Sequence, residues 1–262
     1  MIGNEIPDKR RFEIKKLLIE NISVSVSNLA EIFNVSELTI RRDLKKLEEE
    51  GFIKRVHGGA LLNNMKSEVN PVFIKDLNQY KEEKKKIAKE AAKRVSNGNA
   101  IILESGTSCL EVVYNLENVH DIFIYTASVP IAYELWKIAL NRRDIQVNIC
   151  GGQIEIHSNT LIGSQAVNFF KNIHADVAFI GAVAVSEKLG LTTNSILDAE
   201  VTRSIIESSK KVILLADSSK FGKNGHISII PLENLFEIIT DNNIEKNIAS
   251  SIKKRGIKIT IV

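Results

Sequence analysis

The sequence predicts a small, mainly helical domain that ends in a short β wing, followed by a larger α/β domain with a largely parallel sheet. Three observations predict this arrangement. Residues 1–62 contain three amphipathic helical segments and then a glycine-turned hairpin. Residues 63–82 are polar and charged, which is typical of a linker. Residues 83–262 alternate short apolar runs with amphipathic segments, the pattern of a parallel sheet covered by helices.

The composition is that of a globular protein with a core to bury. Of the 262 residues, 44% are hydrophobic and 26% are charged. No apolar run approaches the roughly 18 residues of a membrane span, and the first residues do not resemble a secretory signal. We therefore expect a cytoplasmic protein without a membrane partner. Cys109 and Cys150 lie far apart without a CxxC motif, which predicts two core residues, no metal and no cofactor.

The first two helices follow from apolar spacing and from capping residues. An i, i+3, i+4 stripe that begins at Ile14 predicts a helix over 8–20. A second helix is predicted from the capping residue Ser25 to Asn34, which tolerates the left-handed conformation of a tight turn. We expect Ile32 to lie on the apolar face of this second helix.

A third helix is predicted between the N-cap Ser36 and Gly51. Ile40, Leu44 and Leu47 share its inward face. The outer face of its first half is then cationic, and the acids collect at its end. The residues that this spacing places on or near the outer face are Glu37, Thr39, Arg41, Arg42, Lys45 and Lys46.

Two short helices joined by a tight turn form a helix-turn-helix, whose second helix enters the major groove of DNA. The following segment, FIKRVHGGALL, predicts a small hairpin with Gly58-Gly59 as its turn, which completes a winged helix-turn-helix. Lys54, Arg55 and His57 lie along this wing, where they meet phosphates. A charged helix face alone is more often a solvated surface, and residues 1–60 hold eleven Lys and Arg against ten Asp and Glu. The placement of the cations, and not their number, favours DNA.

The segment LAEIFNVSELTIRRDLKKLEEEGFIKRVHGGA resembles the DeoR family of bacterial sugar-metabolism regulators. The match is long and ungapped. The resemblance implies that Ser36, Thr39, Arg41 and Arg42 lie in the element that contacts the operator.

Seven apolar runs in the larger domain predict the strands of its sheet. They are AIILE, DIFIYT, IQVNIC, VAFIGA, KVILLA, FEIIT and IKITIV. Helical segments separate most of them, which argues for a largely parallel sheet. Ligands of such sheets bind beyond the carboxyl ends of the strands, so the strand-to-helix loops are the candidate site.

The loop after the first of these strands is suited to an anion. It contains Glu104, Ser105, Gly106, Thr107 and Ser108, with hydroxyl donors, a glycine and a following helix N-terminus. It lacks the GK[ST] of a P-loop, so nucleotide hydrolysis is not expected. The alternative interpretation is a plain capped loop.

Three further loops converge on the same edge of the predicted sheet. Their side chains are small, hydroxylic or charged. The candidate residues are Thr126 and Ser128, then Gly151 and Gly152, then Asp217 and Lys220. Lys220 is the cation that a phosphate needs, whereas Asp217 accepts from a sugar hydroxyl or only caps a turn.

The motifs ESGTS, GLTTN and LLADSSKFGK resemble the C-terminal domain of the same DeoR family, which is related in fold to ribose-5-phosphate isomerase and binds phosphorylated sugars. The resemblance implies that the loop 105–108 and Lys220 hold a phosphate. It also implies that Gly151, Gly152 and Asp217 line the pocket, with Glu200 a weaker candidate. The family usually has Asp at Glu104, Thr at Ser108 and Asn at Ala127, so the departures bear on which sugar binds.

The predicted function is a DNA-binding repressor of a sugar-catabolism operon, controlled by a phosphorylated sugar and assembled as a homo-oligomer, a dimer or a tetramer. Its expected partners are double-stranded operator DNA and that sugar. The acids that follow the central strand in the related isomerases are replaced by Val183-Ala184-Val185, so we expect no enzyme. Two alternatives stay open: a sugar-phosphate isomerase or deaminase with an appended winged helix, and a winged helix that contacts protein or RNA.

Overall fold

The structure is a computed structural model that describes residues 7–21, 23–56, 58–62, 76–77 and 79–262. The chain divides into two compact units, residues 1–79 and 80–262. His57 and most of the predicted linker lie outside the described residues.

The first unit combines three helices with a three-stranded antiparallel sheet. Its elements are α1 (Pro7–Asn21), β1 (Ser23–Ser25), α2 (Val26–Phe33), α3 (Glu37–Glu49), β2 (Ile53–Val56) and β3 (Gly59–Leu62). The sheet order is β1-β3-β2, so the wing hairpin pairs with a short strand that precedes α2. β1 was not predicted, because three residues are too few to display an alternating pattern.

The helix ends lie where the capping residues predict them. The Ser25 hydroxyl accepts a hydrogen bond from the Asn28 backbone N–H at 3.1 Å, and Asn34 ends α2 in the left-handed conformation with φ of 50°. Ser36 caps α3 in the same way as Ser25 caps α2. The prediction for Ile32 is wrong, because this side chain is 47% exposed while the neighbouring Phe33 is buried.

The sequence predicts that Gly58 and Gly59 form the turn of the wing together, but the structure gives the two glycines different roles. Val56 pairs directly with Gly59, so Gly59 is the first residue of β3 and not part of the turn. A Cβ on Gly59 would lie 2.2 Å from the carbonyl oxygen of Val24. Gly59 is therefore required by the close approach of β1, while Gly58, with φ of +81°, has the turn conformation.

A buried ion pair attaches α3 to α1 beside the apolar core of this unit. Arg10 Nε donates to Asp43 Oδ2 at 2.6 Å, and Arg11 lies 3.5 Å from the other carboxylate oxygen. Asp43 is 4% exposed, so its charge is compensated inside the unit. This contact fixes which face of α3 is turned outward.

The second unit contains a seven-stranded sheet and its covering helices. The helices are α4 (Lys81–Ala92), α5 (Gly106–Val113), α6 (Val129–Ala139), α7 (Ser164–Lys171), α8 (Ile196–Glu207) and α9 (Lys246–Lys254). The large sheet consists of β4 (Ala100–Leu103), β5 (Ile122–Thr126), β6 (Ile145–Ile149), β9 (Val177–Ile180), β12 (Val212–Leu215), β14 (Glu237–Thr240) and β15 (Ile259–Ile261).

All seven predicted strands form this one sheet, in the order β15-β14-β12-β9-β4-β5-β6, and every pairing is parallel. The prediction of a parallel α/β sheet is confirmed. A hairpin of β7 (Gln153–Glu155) and β8 (Thr160–Ile162) was not predicted. An antiparallel sheet of β10 (Ala184–Ser186), β11 (Gly190–Thr193) and β13 (Ile227–Ile230) was also missed.

The strand order defines a crevice at the carboxyl edge of the sheet. From β4 the chain continues to β5 and β6 on one side, and β9, β12, β14 and β15 are added on the other. The order therefore reverses between β4 and β9. Loops that leave two such strands in opposite directions open a crevice, which is the usual ligand position in α/β sheets.

The remaining structural expectations concern cysteines and membrane spans. Cys109 and Cys150 are free thiols in the core, as predicted. Within the described ranges, no helix is both long enough and apolar enough to cross a bilayer.

Candidate nucleic-acid interface and ligand site

The outer face of α3 presents cations with different local partners. Arg41 forms an exposed ion pair with Glu37 at 3.2 Å, and Lys45 lies 3.9 Å from Glu49. Arg42 is exposed and makes no ion pair with any described residue. Exposed pairs of this kind are weak and exchange readily with a phosphate or a base edge.

The hydroxyls at the start of α3 are occupied by capping. Ser36 Oγ accepts from the Thr39 backbone N–H at 3.2 Å, and the two side-chain hydroxyls lie 2.9 Å apart. In this arrangement the hydroxyl groups of Ser36 and Thr39 are hydrogen-bond partners of each other. A contact of either hydroxyl with DNA would have to replace or share that bond.

The wing contains two described cations, Arg55 and Lys54, of which Arg55 forms an ion pair with Glu48. Glu48 accepts from Arg55 twice, from the backbone N–H at 2.9 Å and from Nε at 2.6 Å. These bonds lower the pKa of Glu48, the backbone bond most. Lys54 is exposed without an ion pair to the described residues, and the predicted contact of His57 falls outside them.

The loop after β4 has the backbone geometry of an open helix N-terminus. Ser105 is the N-cap of α5 with an extended backbone, and its side chain makes no capping hydrogen bond. Gly106 has φ of +83° with open space where a Cβ would be. Thr107 and Ser108 are buried in the first turn. The first N–H groups of the helix therefore lack the side-chain acceptor that usually satisfies them.

Glu104 joins the two strands at which the sheet order reverses. It follows β4, and its Oε2 accepts from the Gly181 backbone N–H at 3.0 Å, just after β9. Its Oε1 accepts from the Thr202 hydroxyl of α8. The same hydroxyl lies 3.0 Å from the Asp198 carbonyl oxygen. One carboxyl group thus connects β4, β9 and α8 beneath the crevice.

Burial shifts the ionisation of Glu104 and of the acid closest to it. Desolvation raises the pKa of Glu104 to about 7, against the lowering effect of the bonds from Thr202 and Gly181, and the charge of Asp198 raises it further. Burial also raises the pKa of Asp198, which accepts from the Ser158 hydroxyl at 3.3 Å. The base of the crevice therefore holds two carboxyl groups that take up protons readily.

The hydroxyls of the loop after β5 are used within the loop. Thr126 is fully buried, and its Oγ1 accepts from the Ser128 backbone N–H at 3.0 Å and donates to the Glu104 carbonyl oxygen at 3.4 Å. Ser128 caps α6 through Ile131. Both residues lie at the predicted edge of the sheet, and both brace the loop.

Gly151 and Gly152 follow β6 at the far side of the crevice. A Cβ on Gly152 would lie 2.5 Å from the Ile162 carbonyl oxygen, so the packing of the β7–β8 hairpin requires this glycine. Four strand spacings separate β6 from β12, about 19 Å. This glycine pair and Lys220 therefore follow strands on opposite sides of the strand-order reversal.

The loop after β12 contains a buried acceptor that has no partner. Asp217 caps a short 3₁₀ helix (Ser218–Lys220), and its Oδ1 accepts from the Ser219 backbone N–H at 3.1 Å. Its Oδ2 is buried without a hydrogen bond. Lys220 ends this 3₁₀ helix at the same edge of the sheet.

Two other buried polar atoms in the described part of the chain also lack partners, Asn159 Nδ2 and Thr240 Oγ1. Thr240 ends β14 at the same edge as Asp217. The Asn159 carbonyl accepts from the Val129 backbone N–H, directly after the β5 loop. Buried polar atoms are normally satisfied. Asp217 Oδ2 and Thr240 Oγ1 follow neighbouring strands, β12 and β14, so a ligand or water that donates hydrogen bonds at this side of the edge would satisfy them.

Sequence reasoning missed several residues of this region. No local pattern links Gly181 or Thr202 to Glu104, and none links Ser158 or Asn159 to the crevice. The four-residue spacing of Asp198 and Thr202 on α8 was the available signal, since it places them on one helix face. Glu200, the weaker candidate, is exposed.

No group of three or more His, Cys, Asp or Glu side chains within the described ranges is arranged to hold a metal ion.

Both units are similar to described families. Residues 10–66 match the DeoR-like helix-turn-helix domain, and residues 79–242 match the DeoR C terminal sensor domain. The chain is 36% identical to the HTH-type transcriptional regulator GolR of Listeria innocua, over 97% of this chain and 98% of the relative. It is 30% identical to the glycerol-3-phosphate regulon repressor of Escherichia coli, over 90% of this chain and 97% of that protein.

Among solved structures, ribose 5-phosphate isomerase A from Methanocaldococcus jannaschii is similar with a TM-score of 0.38 and 20% identity, over 55% of each chain. GolR and the glycerol-3-phosphate regulon repressor are both named as transcriptional regulators and not as enzymes. Their names decide against the catalytic alternative.

The raised pKa of Glu104 predicts a pH-dependent stability that Glu104→Gln removes. Between pH 4.5 and 7 the unfolded carboxyl is ionised while the folded one stays protonated, so stability falls as the pH rises through this window. The loss amounts to about 3 kcal/mol, at about 1.4 kcal/mol per pKa unit. Glutamine reproduces the protonated form, since its amide donates to Thr202 while Thr202 donates to the Asp198 carbonyl.

The measurement is denaturant unfolding from pH 4.5 to 8.5, followed by the fluorescence of Trp136, the only tryptophan of the chain, which lies in this unit. The difference between wild type and Glu104→Gln should change by about 3 kcal/mol over that range. Glu200→Gln, on the exposed side of α8, is the control and should follow the wild type. Parallel pH profiles for wild type and Glu104→Gln would contradict the assignment.

Proposed function

The chain belongs to the DeoR family of transcriptional regulators, and from that premise we propose that it represses a sugar-catabolism operon and responds to a phosphorylated sugar. The observation that carries the proposal is the combination of an exposed cationic α3 with an uncapped helix start, open beside Gly106, at the strand-order reversal of the second unit. One element suits a DNA groove and the other an anionic, polyhydroxylated ligand.

For DNA, α3 acts as the recognition helix and β2–β3 as the wing. Arg42 binds without first breaking an ion pair to a described residue, and Arg41 exchanges Glu37 for a phosphate or base. Lys45, Lys54 and Arg55 contact phosphates, together with His57. Ser36 and Thr39 contribute at the start of the helix.

For the effector, the phosphate binds at the N-terminus of α5, held by residues 105–108 and by Lys220. Support comes from the uncapped helix start and the open space beside Gly106. The sugar hydroxyls pair with buried atoms such as Asp217 Oδ2, which has no other partner. The E. coli relative named for the glycerol-3-phosphate regulon is consistent with a phosphorylated ligand.

Glu104 sets the shape of the pocket in this proposal rather than contacting the phosphate. Both of its carboxyl oxygens are already occupied, by Gly181 and Thr202. An anion bound at the start of α5 would favour the protonated form of Glu104, because a second negative charge nearby disfavours ionisation. Thr126, Ser128, Gly151 and Gly152 keep the flanking loops in place.

Control follows from differential affinity. An effector that binds one of two protein states tenfold better than the other shifts their balance by at most about 1.4 kcal/mol per site. Strong regulation therefore needs greater discrimination or several coupled subunits. Operators with repeated half-sites also need more than one recognition helix.

We accordingly propose a homo-oligomer, a dimer or a tetramer, located in the cytoplasm where it reaches the operator. α6 carries an exposed apolar stripe at i, i+4, i+7 and i+11 that a second copy would cover. The stripe consists of Val129, Tyr133, Trp136 and Leu140, each between 37% and 64% exposed.

Arg42→Ala should weaken operator binding at least about fivefold, because a bidentate arginine–base contact contributes about 1–3 kcal/mol. Arg41→Ala should weaken it less, since Arg41 must first leave Glu37. Electrophoretic mobility shifts on duplexes from the region upstream of the regulated operon measure both, with Lys188→Ala in the second unit as the control. Unchanged binding by the Arg41→Ala, Arg42→Ala double variant would contradict the assignment of α3.

Lys220→Ala should abolish the response to effector and keep DNA binding. Wild type is first screened by thermal shift against fructose 1-phosphate, tagatose phosphates and hexitol phosphates, since a ligand of the folded state raises the melting temperature. The active compound should not stabilise Lys220→Ala, whereas Lys223→Ala, three residues away and exposed, should respond as wild type. If the compound raised the melting temperature of both variants equally, the phosphate would not bind at Lys220.

Light scattering during gel filtration should give wild type a molar mass of at least twice the 29.2 kDa of one chain. Trp136→Glu places a charge in the apolar stripe of α6 and should lower that mass. Leu189→Glu is the control, an exposed leucine outside the stripe. A wild-type mass of one chain at micromolar concentration would refute the oligomer.

A further inference from the structure

Leu38 is an apolar side chain on the surface that the proposed function turns towards DNA. It is the second residue of α3 and is 59% exposed. The other apolar residues of this helix, Ile40, Leu44 and Leu47, are at most 1% exposed and form the core of the unit. Leu38 therefore lies outside the core that fixes the helix in place.

The position of Leu38 on the helix places it among the cations. Arg42 and Lys45 follow it by four and seven residues, so the three side chains share one face, and all three are exposed. In a helix-turn-helix the N-terminal residues of the second helix contact the base edges. Leu38 is thus one turn closer to the groove-reading end than Arg42.

The polar side chains around Leu38 are engaged with one another. The Ser36 and Thr39 hydroxyls lie 2.9 Å apart, and Glu37 pairs with Arg41. The side chain that the first turn of α3 presents without a local partner is therefore an aliphatic one. In the major groove the apolar group on a base edge is the C5 methyl of thymine.

We propose that Leu38 contacts the C5 methyl group of a thymine in each operator half-site and so contributes to sequence specificity. The inference rests on the proposed DNA-binding function and adds to it a residue that reads a base without a hydrogen bond. A leucine in this contact excludes water from the methyl group. It also leaves a cytosine at that position without a partner for its amino group.

The test begins with the full-length protein and a random duplex pool, from which wild type selects its preferred sites. Each thymine of the selected site is then replaced in turn by deoxyuridine, which lacks only the methyl group. Wild-type affinity should fall about fourfold at one position in each half-site, the effect of removing one methyl from an apolar contact. The Leu38→Ala variant should bind the thymine and deoxyuridine duplexes equally.

Leu189→Ala makes the same change at an exposed leucine of the second unit and should keep the wild-type sensitivity to deoxyuridine. Circular dichroism checks that Leu38→Ala retains its helices. Failure to select any duplex would refute the proposed DNA-binding function itself. Selection of a site in which no thymine methyl matters, or in which Leu38→Ala keeps the fourfold loss, would overturn the role of Leu38 and leave DNA binding intact.

Discussion

The reversal of strand order between β4 and β9 is the constraint on which the proposed ligand site depends. Parallel strands require crossover connections, and connections that leave β4 and β9 towards opposite ends of the sheet cannot cover the gap between them. Glu104 connects the two sides of that gap, because it follows β4 and accepts hydrogen bonds from Gly181 after β9 and from Thr202 on α8. The uncapped start of α5 then lies beside a buried carboxyl group whose protonation state responds to charge.

In the first unit, the orientation of α3 depends on which of its charged side chains are buried and which are exposed. Asp43 and Arg10 form a buried pair that attaches α3 to α1, and one buried partner without the other would be strongly unfavourable. The adjacent residue, Arg42, faces outward without an ion pair to the described residues. Because the inward contact is fixed by charge as well as by apolar packing, the outward face of α3 is specified with little freedom to rotate.

The sequence was sufficient for the features that local patterns encode. Seven apolar runs predicted the strands of the parallel sheet, and Ser25, Asn34 and Ser36 predicted helix ends, because capping acts within three or four residues. β10 and β11 were not predicted, because three or four consecutive buried residues show no alternation of apolar and polar side chains. The hydrogen-bond partners of Glu104 were not predicted, because Gly181 and Thr202 lie 77 and 98 residues away along the chain. The sequence predicts Gly152 as a pocket residue. Only the folded β7–β8 hairpin shows the Ile162 carbonyl oxygen that leaves no room for a side chain at this position.

If a sugar phosphate bound in the second unit controls DNA binding by α3, as proposed, each ligand must change the affinity of the chain for the other by the same factor. The operator dissociation constant is measured with and without a saturating sugar phosphate, and the dissociation constant of that sugar phosphate is measured with and without operator. Thermodynamic linkage requires the two ratios to be equal. We expect equal ratios of at least about tenfold for a regulatory effector. A ratio of one in both titrations would contradict this expectation.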